Sequence, residues 1–148
     1  IARLFVFVTW RLAELTRLAD ASDHVLAAVA AKGATELTYH REYAAGWVVR
    51  LGDGTELSHA RMQNAVLWIW AQVDELFDDD ASPAAAADLR AEFDDVVGQV
   101  LAAATLAEPT PPRAVTSGRG RDGEHTDAMD ELLTDLQRVA RAHPGATW

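Results

Sequence analysis

The sequence predicts an all-α domain, and three observations carry that prediction. Apolar residues recur at three- and four-residue spacing through most of the chain, the period of a helix with one buried side. The Pro and Gly clusters fall between these stretches rather than inside them. Apolar residues make up 49% of 148 residues, enough for one domain with a real core.

In the first stretch, Leu4, Phe7, Val8, Leu12, Leu15 and Leu18 keep the helical spacing. The run from Leu4 to Val8 is continuously apolar, so this helix is expected to be covered on more than one side. A strand is the rival reading for Leu4 to Trp10; the Leu/Ala/Glu/Arg-rich continuation favours one long helix. Asp20 to Asp23 reads as a short connection. A second helix is expected from about His24 to Arg50, with Val25, Val29, Leu37, Ala44, Trp47 and Leu51 inward and Gly33 either at a close helix contact or a modest propensity cost. Gly52-Asp53-Gly54 stops it. Thr55 caps a third helix running to about Asp78, whose buried side holds Met62, Ala65, Val66, Ile69, Val73 and Leu76.

Asp78 to Pro83 is a solvated break in which Ser82 suits an N-cap and Pro83 the first helical position. A fourth helix is expected to reach about Leu106, with Leu89, Phe93, Val96, Val97, Val100 and Leu101 inside. Glu108 to Glu124 differs in kind. Its prolines block a helix and its glycines loosen the later half, over a length that is unusual in a compact domain. A fifth helix is expected from about Thr126 to Ala142, with Leu132, Leu133, Leu136, Val139 and Ala140 inside, ended by His143-Pro144-Gly145.

Composition removes several function classes. With 23 acidic residues against 13 Lys plus Arg, the net charge is -10, which argues against a nucleic-acid backbone as the main ligand. The absence of cysteine excludes disulfides, thiolate metal sites and thiol catalysis, and fits a cytoplasmic location. No apolar run reaches the ~20 residues of a membrane helix, and residues 1–10 do not have the build of a signal peptide. The chain opens on Ile1-Ala2-Arg3 inside a periodic stretch, so it is expected to be part of a longer protein.

Few residues invite chemistry. Glu36 and His40 are four apart on one helical side, a possible metal half-site. Tyr39 stands where a carboxylate-bridged di-iron site would place His three residues after Glu. The plainer reading of Glu36 and His40 is packing or hydrogen bonding. Asp74, Glu75 and Asp78 to Asp80 form an acidic helix end, a poor place for negative charge unless a basic group offsets it. Weak Mg or Ca binding there is the lesser reading. Gly52-Asp53-Gly54 lacks the Lys of a phosphate loop and reads as turn chemistry. Its flanking Arg50 and Arg61 are expected to pair with Asp53 and Glu56, reach to an anionic ligand being the lesser reading. Arg113, Arg119 and Arg121 make the Pro/Gly segment the one basic island, open to an anion or an acidic partner. His125 and Thr126 open the last helix, with Thr126 as its cap. Trp68 and Trp70 are two apart and face different ways, so one of them is expected to meet another helix group or a subunit. Trp148 is expected to anchor the tail, in this chain or on a partner.

The block Trp47-Val48-Val49-Arg50-Leu51-Gly52-Asp53-Gly54-Thr55-Glu56, followed by Ser58-His59 and Arg61-Met62-Gln63, resembles the structural subunit of bacterial phenylacetyl-CoA ring-epoxidase complexes. Tyr39-His40, Glu75-Leu76-Phe77, Gly120-Arg121, His125-Thr126-Asp127, Leu136-Gln137-Arg138, Pro144-Gly145 and Trp148 extend the likeness over nearly the whole chain.

The resemblance implies a ferritin-like helical bundle. Residues 1–19 and 24–50 would be two of its core helices, the first two core helices being absent from this sequence, and later helices would be additions. It further implies a subunit that has lost the di-iron centre and supports the catalytic di-iron subunit. That assembly also has other small subunits and an NADPH-dependent reductase. Tyr39 in place of His, and Val8 where the family often has an acidic residue, agree with that loss. Leu57, Gly46, Glu124 and Ala128 depart from the pattern. The reading is therefore a non-catalytic scaffold without metal or cofactor of its own. Its partner contacts are placed at Trp68, Trp70, Arg119, Arg121, His125 and Trp148, with neither nucleic acid nor membrane as a partner. Two alternatives stay open: a self-contained di-iron oxygenase subunit, and a CoA-ester binding module using Arg113, Arg119 and Arg121.

Overall fold

The computed structural model describes residues 1–77, 83–110, 120 and 123–146, with residues 83–86 as backbone only. The described elements are helices α1 (Ala2–Leu18), α2 (His24–Gly52), α3 (Glu56–Trp70), a 3-10 turn (Val73–Phe77), α4 (Pro83–Ala103), α5 (Asp127–Leu136) and α6 (Arg138–Ala142). No strand occurs among the described residues, so the strand reading of Leu4 to Trp10 falls, and the fold is the all-α bundle of ferritin-like type. The chain divides into two compact units, residues 1–113 and 114–148.

In the first unit, α1 and α2 form a helical hairpin. Asp23 caps α2, its carboxylate accepting from the Val25 and Leu26 amides at 2.9 and 3.1 Å. A methyl group at Gly33 would lie 2.7 Å from Leu15 Cδ1, so the Leu15 side chain of α1 packs against α2 at this glycine. Helices α3 and α4 close over the hairpin. Phe5, Val6 and Trp10 of α1, Ala44 and Val48 of α2, Met62, Val66 and Trp70 of α3 and Phe93, Val97 and Leu101 of α4 make one core.

The third helix stops eight residues before the expected Asp78, and its continuation rewinds as a 3-10 turn. The reason is electrostatic. Asp74 and Glu75 at the end of one long helix would face its negative pole, whereas a fresh start at Val73 puts them in the first turn. Arg90 of α4 then holds the turn, donating to Asp74 at 2.7 Å and to Asp94 at 2.9 Å, with its guanidinium 5.0 Å from the Phe77 ring centre. Burial lowers the Arg90 pKa, but the bonds from Asp74 and Asp94 outweigh it and hold the group above its ordinary value. So the basic group expected to offset the acidic end lies within the chain. Asp78 to Asp80 and Ser82 lie outside the described residues.

Helix α4 ends at Ala103, short of the expected Leu106, because Thr105 turns left-handed at φ 58°. The Leu106 amide then reaches back to the Leu101 carbonyl at 3.0 Å, closing the helix end. Gln63 of α3 fixes the neighbouring Ala107. Its side chain donates to the Ala107 carbonyl at 3.1 Å and accepts from the Ala107 amide at 2.8 Å. Gln63→Ala leaves both backbone groups to water, and the expected cost is about 1 kcal/mol, because the site is solvent-accessible. Urea titration of the far-UV helical signal checks it.

The second unit contains α5 and α6, which bury no residue. The single helix expected there is interrupted at Gln137. Leu132, Leu133, Leu136 and Val139, expected inside, are exposed, as is Ala140.

Candidate partner interface

The outer side of α2 carries Val25, Val29, Lys32, Glu36, Tyr39 and Tyr43 at a spacing that keeps them in one stripe. All are exposed, Val25 by 74% and Tyr39 by 66%. Val25 and Val29, whose spacing predicts an inward position, are exposed instead, and Ala30, Ala44 and Val48 do the packing. The period reveals an apolar stripe but not which of two stripes a neighbour covers. On α1, Leu4 and Phe7 are likewise exposed.

Glu36, Tyr39 and His40 therefore stand together on an outward surface, and Val8 is buried. A carboxylate-bridged di-iron centre draws a Glu from each of two helices and a Glu-x-x-His pair from each of two others. The residues present do not fit it: three residues after Glu36 stands the phenol of Tyr39 in place of an imidazole, and Glu36 and His40 are exposed. Among the described residues, no group of three or more His, Asp or Glu side chains is placed to hold a metal ion.

Of the two neighbouring tryptophans, Trp70 turns inward. Its ring stacks against Phe93 with centroids 6.1 Å apart. Trp68 turns outward and is 73% exposed, on a helix that also exposes Leu57 and Leu67. His125 is exposed just before α5. Thr126 sits at the α5 N-cap position, its side chain making no cap bond. Arg113, Arg119, Arg121 and Trp148 lie outside the described residues.

The Gly-Asp-Gly block is turn chemistry in structural detail. Thr55 Oγ1 accepts from the Ser58 amide at 3.2 Å, starting α3. His59 is half-buried, with Nδ1 2.7 Å from the Gly52 carbonyl oxygen. A methyl group at Gly54 would meet Ser58 Oγ at 2.7 Å and the Arg50 carbonyl at 2.8 Å. Arg50 lies over the Trp47 ring at 5.5 Å, and the ion pairs among the described residues do not join it or Arg61 to Asp53 or Glu56. The block thus joins α2 to α3 tightly. The roles of Gln63, His59 and Thr105 have no signal in local spacing, since each depends on a distant or carbonyl partner.

An all-α bundle of ferritin-like type defines the class of protein. Residues 1–148 match the family described as phenylacetic acid catabolic protein, and the chain belongs to that family. It is similar to one of the subunits of 1,2-phenylacetyl-CoA epoxidase from Escherichia coli (strain K12), at 35% identity over 157 aligned positions. The alignment takes in all of this chain and 62% of that relative. Among the described residues, no helix is long and apolar enough to cross a membrane.

Proposed function

We propose that this chain is a non-catalytic scaffold subunit of a multicomponent phenylacetyl-CoA epoxidase acting in aerobic phenylacetate degradation in the cytoplasm. It holds and orients the catalytic di-iron subunit, alongside other small subunits and a reductase, and carries no metal or cofactor itself. The observation that carries this reading is the likeness to an epoxidase subunit along the whole chain, in a sequence whose Glu36 is followed by Tyr39 rather than His. The exposed apolar stripes of α1, α2 and α3 support a role in assembly, since side chains of this kind are stabilised by being covered.

Trp68 is the leading contact, an exposed indole near the end of α3, next in sequence to exposed Leu67. Trp70 acts from within the core by fixing the helix that presents Trp68. Arg119, Arg121, His125 and Trp148 complete the proposed contact set. Neither nucleic acid nor a membrane is a partner.

Co-expression of the full gene product with the catalytic subunit, followed by native mass measurement and iron analysis, tests the proposal. A stable complex is expected, with iron following the catalytic subunit. Iron bound at di-iron stoichiometry by the chain alone overturns it. Trp68→Ala is expected to weaken the complex about tenfold or more, as loss of a buried aromatic anchor does. Titration calorimetry reads that change.

A further inference from the structure

We draw no further inference here: the strongest candidate, the exposed stripe of α2 that runs from Val25 and Val29 to Tyr39 and Tyr43, carries nothing, because nothing in the structure shows what covers it.

Discussion

Phe93→Ala is expected to cost the first unit about 3–5 kcal/mol, the range for removing a fully enclosed aromatic ring. Phe93 has no exposed surface. Its ring stacks on Trp70 at 6.1 Å and meets Phe77 edge-on at 5.3 Å, so one side chain joins α4 to both α3 and the 3-10 turn. Truncation removes its apolar burial and leaves a cavity that two rigid rings cannot collapse to fill. The Arg90 contacts cannot compensate, because these ion pairs are partly exposed and each is worth little. Against a total stability of about 5–15 kcal/mol, the loss is a large fraction. Urea unfolding followed by far-UV circular dichroism and tryptophan emission measures it. The midpoint should fall with the slope unchanged. A loss below ~1 kcal/mol means that Phe93 is not the centre of this core.

Spacing makes the packed sides of α3 and α4 legible. Met62, Val66 and Val73, and Phe93, Val97 and Leu101, are buried as expected, with Ala65, Ile69, Leu76, Leu89 and Val100 packed against them. What spacing cannot supply is the neighbour. Val25 and Val29 of α2, and Leu132, Leu133 and Leu136 of α5, keep a helical period as strict as that of α3, yet they are exposed. Hydrophobic periodicity records that a side of a helix is made to be covered, and the covering element is not encoded in that helix. The same limit applies to the tryptophans: two residues apart fixes different directions, and only packing on Phe93 decides that Trp70 is inside and Trp68 outside.

Element ends escape local reading for a related reason. The end of α3 is hidden because the acid-rich stretch is relieved by Arg90, distant in sequence, and the end of α4 because Thr105 is not a residue that announces a left-handed turn. That Tyr39, not His, stands three residues after Glu36 needs, by contrast, only the residue identities.

Gly52 and Gly46 give a paired prediction of opposite sign. Both lie in α2, where replacing Gly by Ala ordinarily gains up to ~1 kcal/mol through propensity. At Gly46 a methyl group meets nothing within 4 Å, so Gly46→Ala is expected to stabilise by roughly 0.5–1 kcal/mol. At Gly52 the same methyl would stand 2.5 Å from the Ala104 carbonyl oxygen, 2.8 Å from Ala104 Cβ and 3.1 Å from Leu106 Cγ. The nearest obstacle is backbone, and it cannot easily yield. The Leu106 amide is bonded back to Leu101, and Gln63 grips Ala107 on the far side. Gly52→Ala therefore forces apart the ends of α2 and α4, and the expected net loss is about 1–3 kcal/mol, as for an overpacked core. For a unit of this size, each kcal/mol moves the melting temperature by about 4–8 °C, so a calorimetric comparison separates the two variants clearly. Removing the Gln63 grip should soften the effect: in a Gln63→Ala background the Gly52→Ala penalty is expected to shrink, because the segment around Ala104 can then retreat. Equal stability of Gly52→Ala and Gly46→Ala would show that the close approach of α2 to α4 is not what the Gly-Asp-Gly block serves.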